Sequence, residues 1–125
     1  MSKSIKQQIG KYGEMLAVQY LERKGYRILE TNVHSRFGEI DIIAVSPEQV
    51  LVFLEIKTRT NSAHESPERA IDVRKLQKMW KTMKIYLSTH DVLYAGYRID
   101  SIALSLNREE KRCFMRHCKA IGRLF

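Results

Sequence analysis

Cysteine is scarce in this chain, with only Cys113 and Cys118 among 125 residues. Two thiols and the adjacent His117 fall short of the roughly four ligands a structural zinc takes. They read as reduced cysteines near the C-terminus. Long apolar runs are missing too. Nothing approaches the about eighteen consecutive apolar residues of a membrane helix, and Met1 to Gln8 lacks the apolar stretch of a secretory signal. A soluble, cytoplasmic protein with no membrane partner is expected. Linkers, repeats and low-complexity tracts are also absent, so residues 1–125 are expected to form one domain with a core of its own. Acids are outnumbered, 14 against 22 Lys and Arg, leaving a net charge of +8. Such an excess favours a polyanionic partner, because neutralised phosphates release their counterions. The plainer reading is a basic but otherwise ordinary soluble protein. What separates the two is that the acids that stand out gather in one place.

That place is a hairpin. Phe37 to Val45 and Val50 to Lys57 are two strongly apolar strands, yet they carry Glu39, Asp41 and Glu55. An unpartnered buried carboxylate is costly, so such acids are paired, solvated or bound to a metal. If Ser46 to Gln49 form a four-residue turn, position i faces roughly position 95 − i. Asp41 and Glu55 then stand within a residue of the same level on neighbouring strands. Alternation turns Glu39 and Asp41 one way together, and puts Glu55 and Lys57 on one face with Leu51 and Phe53. That face begins apolar near the turn and becomes charged further along.

Around the hairpin the pattern is helix, three strands, helix, then one or two strands. Ile5, Ile9, Tyr12, Leu16 and Tyr20 recur at helical spacing from Ser4 to about Lys24, with Ala17 and Leu21 widening the stripe. Gly25 supplies a helix stop. Tyr26 to about Asn32 reads as a strand. Ser66-Pro67-Glu68 reads as an N-cap with proline at the first helical position. The helix it opens runs to about Ser88, with Ala70, Val73, Leu76, Trp80, Met83 and Leu87 as its apolar stripe. Its other faces are basic, through Arg69, Arg74, Lys75, Lys78, Lys81 and Lys84. Tyr97 to Leu104 reads as a further strand, and Cys113 to Phe125 as a last strand or irregular chain. This is an α/β layout around a central mixed β-sheet flanked by helices.

If the acids converge, their chemistry is specific. Asp41 and Glu55 offer hard oxygen ligands on rigid strands, which suits Mg²⁺ or Mn²⁺ with positions left for water and phosphate. An ion there polarises a scissile phosphate and acidifies a bound water. Lys57, on Glu55's face, is placed to orient the water or offset charge on the transition state. Glu14 lies on the edge of the first helix's apolar stripe. On periodicity alone it reads as a surface acid paired with a lysine; packed over the sheet, it completes the metal's shell. Gly13 before it permits close approach of another backbone or a phosphate. Glu39 reads equally as an outer ligand or as an acid at the sheet margin. Arg36 and Arg59 flank the acidic strands, where they either hold phosphates or are simply solvated. Lys75 and Lys78 lie on the basic helix as candidate nucleic-acid contacts. His34, His64, Trp80, Tyr94 and Tyr97 read as structural or packing residues.

Three segments together resemble a known family: Gly13-Glu14, then Arg36-Phe37-Gly38-Glu39-Ile40-Asp41-Ile42-Ile43-Ala44, then Phe53-Leu54-Glu55-Ile56-Lys57-Thr58-Arg59. They look like the YraN-like family of small bacterial predicted endonucleases. Ser66-Pro67-Glu68 and the Arg98-Ile99-Asp100 strand fit it too. The resemblance covers nearly the whole chain. It implies a restriction-endonuclease-like fold of the PD-(D/E)xK type, distantly similar to archaeal Holliday-junction resolvases. It also implies a metal-dependent nuclease centre of Asp41, Glu55, Lys57 and Glu14, with DNA, branched or junction DNA included, as substrate. Ile40 stands where the motif's name has proline. Resolvases of similar fold act as dimers, so a homodimer is an expectation of the same resemblance, and an unidentified protein partner is compatible with it. The alternative is a module of the same fold that grips nucleic acid without cutting it.

Overall fold

A computed structural model of the chain describes residues 3–60, 72–90, 94–107 and 109–121. Five strands form one sheet in sequential order: β1 (Arg27–Ser35), β2 (Gly38–Val45), β3 (Val50–Thr60), β4 (Gly96–Asn107) and β5 (Arg112–Cys118). Neighbours are antiparallel except β3 and β4, which run parallel. Parallel neighbours need a crossover, and α2 (Val73–Thr89) lies on it between them. The other helix, α1 (Lys3–Arg23), packs on the opposite face of the sheet. The expected mixed sheet flanked by helices is therefore what forms, with β5 as its last strand.

Alternation along the strands divides the core in two. Ile43, Val45, Leu51, Phe53 and Ile99 pack against Leu76, Met79, Met83 and Tyr86 of α2. Ile42, Ala44, Val52, Leu54, Ile102 and Leu104 pack against Ala17 and Leu21 of α1. Each fully buried aliphatic side chain contributes about 1.5–3 kcal/mol of transfer free energy. The hairpin strands are thus held from both sides. The β2–β3 connection is the expected four-residue turn, with the Ser46 hydroxyl accepting from Val50 N at 3.1 Å and Gln49 in a left-handed conformation.

The first helix is rotated from its sequence expectation, whereas in α2 the expected Leu76, Trp80, Met83 and Leu87 do pack in or against the core. The stripe of α1 that meets the sheet runs through Gly13, Ala17 and Leu21, all buried, while Ile5 and Tyr12 are exposed. Gly13 sets this rotation: a Cβ built there would overlap the Thr58 side chain of β3. At the other end Gly25 adopts φ +89, and Tyr26 N donates to Leu21 O at 2.9 Å, a glycine-terminated helix end as expected. In α2 the buried positions are Leu76, Met79, Thr82, Met83 and Tyr86, whereas Val73 is exposed. The cap of the described helix is Asp72, whose carboxylate accepts from Lys75 N at 2.8 Å. Ser66-Pro67-Glu68, Ala70 and His64 lie outside the described residues. Tyr94 and Trp80 pack against the α2-side core, but Tyr97 is exposed and meets only the edge of Trp80 among its described ring contacts.

A second buried polar cluster ties β4 to β5. Asp100 is fully buried and accepts from Arg98 Nε at 3.0 Å and Ala120 N at 2.9 Å, with His117 Nε2 at 2.8 Å. His117 Nδ1 lies 2.9 Å from the Tyr20 hydroxyl. The imidazole is therefore engaged between an acid and a phenol, while Cys113 and Cys118 are free thiols.

Candidate functional site

The ladder between β2 and β3 pairs Ile42 with Leu54 and goes no further. Extending it by one residue sets Asp41 level with Glu55, closer than the turn-based expectation. Ile40 packs with the α2-side core and Ile42 with the α1-side core, so regular alternation breaks at Asp41. Across from Asp41 on β1, between the pairs Thr31–Ile42 and Val33–Ile40, Asn32 takes φ 54. Asparagine tolerates this left-handed conformation better than most residues. The strands part here, and the Asp41 carboxylate fills the gap, its Oδ2 accepting from Ile56 N at 2.7 Å. A side chain thus does what a backbone carbonyl does elsewhere in the ladder.

Glu55 faces α2, as its place on the side of Leu51 and Phe53 requires. Its Oε2 is buried and has no hydrogen-bond partner among the described residues, although Lys75 Nζ approaches to 3.4 Å. That contact is an ion pair without hydrogen-bond geometry, so the oxygen keeps an unsatisfied lone pair. Burial, then the Asp41 charge, pushes the Glu55 carboxyl up to about 7, against the pull of Lys75 and Lys57. Burial also raises Asp41, opposed by the Ile56 amide. The two carboxyls stand level on neighbouring strands and line one cavity, so each carries the other's charge as well as its own burial.

Glu14 comes in from α1. With Gly13 against Thr58, the helix approaches β3 closely and Glu14 is half-buried over the strand acids. Its carboxyl is raised by burial and then by Asp41, while a hydrogen bond from Asn32 opposes the shift. Glu14, Glu39, Asp41 and Glu55 line one open cavity of about 530 Å³, together with Gly10 and Thr58. Glu14 is thus no isolated surface acid. Glu39 stands at the cavity's margin, 3.2 Å from His34 Nδ1. Burial raises Glu14, Asp41 and Glu55 alike, with Asp41 adding to the shift of the other two and Glu39 to that of Asp41, as expected where acids crowd one cavity. Hard divalent cations fit such an oxygen set, since Mg²⁺ needs only one or two carboxylates besides water and phosphate. Among the described residues, however, no three His, Cys, Asp or Glu side chains already stand as a ligand cage.

The basic residues divide by position. Lys57 is exposed, two residues beyond Glu55 on the same face. Lys75, expected on a nucleic-acid face, points its ammonium at Glu55. Sequence reasoning missed it as part of this cluster, as it missed Asn32. The signal was present, because Lys75, Met79, Thr82 and Tyr86 share one side of α2 at helical spacing. Lys78 is exposed on the next turn. Arg36, in the β1–β2 turn, lies over the Phe37 ring at 4.8 Å, and Lys81 of α2 over the same ring at 5.2 Å. Cations thus extend along α2 from Glu55 to the β1–β2 turn. Arg59 is half-buried farther along β3.

Comparison with known proteins gives a consistent picture. The profile of "Uncharacterised protein family UPF0102" matches residues 13–104. A UPF0102 protein of Caldanaerobacter subterraneus subsp. tengcongensis is 41% identical over 110 residues, covering 88% of this chain and 89% of its own. One from Herpetosiphon aurantiacus is 34% identical over 118 residues, covering 91% and 93%. One from Persephonella marina is 43% identical over 98 residues, covering 78% and 84%. The matched span includes Glu14, the hairpin and α2.

Proposed function

The chain belongs to the uncharacterised protein family UPF0102, the YraN-like family its motifs resemble, and from the site it builds we propose a metal-dependent endonuclease acting on DNA. The observation that carries this reading is the Asp41–Glu55 pair. Two carboxyls stand level where two core strands part and line one cavity, and one oxygen is buried without a hydrogen bond among the described residues. A fold that needed only packing at this point would gain from apolar residues instead.

In this reading Asp41 and Glu55 hold the metal, with Glu14 joining directly or through a water. Mg²⁺ or Mn²⁺ bound there supplies a polarised phosphate oxygen and an acidified water. Lys57 orients the attacking water or offsets the charge gathering on the phosphate oxygens. Arg36, Arg59 and Lys78 take up phosphates flanking the scissile bond, consistent with the +8 charge of the chain. Lys75, paired with Glu55 in the free protein, turns to a phosphate when the metal takes that carboxylate. The test is cleavage of labelled duplex, single-stranded and four-way-junction DNA in Mn²⁺ or Mg²⁺. Asp41→Ala and Lys57→Ala are each expected to abolish the metal-dependent product. A metal-dependent activity that both variants leave untouched sinks the mechanism.

One observation favours a second reading, a module that binds nucleic acid without cutting it. Among the described residues the carboxylates are not yet gathered as a three-ligand cage. That reading expects salt-sensitive binding and no metal-dependent product on any of the three substrates.

A further inference from the structure

We infer that the groove beside α1, next to the acidic cavity, receives an unpaired nucleotide, so that the substrate carries single-stranded residues beside the scissile phosphate. The inference rests on the nuclease reading and deepens it. Because Gly13, Ala17 and Leu21 face the sheet, the stripe Ile5–Ile9–Tyr12 is turned sideways over the ends of β4 and β5. The result is a groove of about 470 Å³, within the size range of small-molecule sites. Ile5, Ile9 and Leu106 give it an apolar lining, and Tyr12, half exposed, stands at its wall. Lys111 and Arg112 bring two cations, and the carboxamide residues Gln8 and Asn107 complete the polar part.

Continuity and chemistry together point to the occupant. Ile9 and Thr60 line both this groove and the acidic cavity, so a chain leaving the carboxylates crosses them to enter it. A ligand that suits an apolar slot with an aromatic wall and cationic edges has flat apolar faces joined by anions. A nucleic-acid strand has that pattern, with a base stacked on Tyr12 and its phosphate near Lys111 and Arg112. Inside a duplex both faces of a base are covered by its neighbours, so only an unpaired or extruded base can enter. Blunt duplex therefore reaches the carboxylates but leaves the groove unused.

The test uses Asp41→Asn protein, so that bound substrate stays intact, and two fluorescent DNAs: a blunt duplex, and the same duplex with a short single-stranded tail. The first tail base is 2-aminopurine. The tailed DNA is expected to bind at least tenfold tighter, with its 2-aminopurine quenched. Tyr12→Ala should cost about tenfold on the tailed DNA, the scale of one lost base–aromatic stack, and leave the duplex unchanged. Tyr12→Phe should restore the preference. Equal losses on both DNAs, or no preference in the parent, overturn the inference. So does a dimer that dissociates in Tyr12→Ala while DNA binding is unaltered, since the groove then belongs to a second copy. Metal-dependent cleavage by wild type without any tail preference removes this inference alone. No binding of either DNA brings down the functional reading with it.

Discussion

Glu55 keeps its carboxyl in an environment that disfavours its charge, and this sets an expected dependence of stability on pH. Its pKa in the fold is about 7 against 4.5 for the free group, through burial first and Asp41 second. A raised carboxyl stabilises the fold while protonated, fully so below the unfolded value. That contribution is lost as pH rises through about 7. Glu55→Gln should therefore stabilise the metal-free protein at pH above 7 by on the order of 2 kcal/mol. The gain should fade towards pH 4, where wild-type Glu55 is protonated in both states. Urea unfolding at several pH values reads this directly, and a glutamine variant less stable than wild type at high pH would contradict it. Asp100 has the opposite sign. Burial raises it, but hydrogen bonds from His117 and Arg98 outweigh that and hold its pKa below the ordinary 3.8. Its stabilisation is present above that value and disappears as pH falls through the lower folded one. Asp100→Asn should cost about 3 kcal/mol at neutral pH, as expected for one broken buried pair, and progressively less in acid. A pH-independent difference would show that the ionised carboxylate is not what the cluster stabilises.

At the scale of elements, the site depends on how closely α1 approaches β3. Glycine inside a helix normally costs about 1 kcal/mol against alanine, so Gly13→Ala should stabilise an isolated helix. In the folded protein the added Cβ overlaps Thr58, and the sign should reverse, with a loss of about 1–3 kcal/mol as in other overpacked sites. A double-mutant cycle with Thr58→Ala checks the cause, since the smaller partner should recover part of the loss. Additive effects would place the cost elsewhere. In α2, Asp72→Ala should cost about 1 kcal/mol through the lost cap on Lys75 N. Much of this scale was legible in the sequence. The four-residue turn at Ser46 put Asp41 beside Glu55, and alternation put Glu55 and Lys57 on one face. Helical rotation was harder to read. Ile5, Ile9 and Tyr12 make as good an apolar stripe as Gly13, Ala17 and Leu21, and only the fit of Gly13 on Thr58 decides between them. Lys75 and Asn32 were missed for a related reason. Their parts depend on how α2 docks and on a local break in β1, and both are set by contacts distant in sequence.

For the whole molecule, a basic chain is arranged around a small cluster of acids. The +8 charge makes binding to nucleic acid strongly salt-dependent in either functional reading, because each neutralised phosphate releases counterions. Removing Lys78 should lower the slope of log affinity against log salt by about one. An unchanged slope would take Lys78 out of the contact. No helix of the described residues is long and apolar enough to cross a membrane. The most direct test of the central claim is calorimetric titration of Mn²⁺ into wild type and Asp41→Asn, with each protein then incubated with labelled DNA. Wild type is expected to bind the ion and to cut in its presence, and Asp41→Asn to do neither. Equal Mn²⁺ binding by both proteins, or none by wild type, would mean that the acids of the β2–β3 hairpin are not a metal centre.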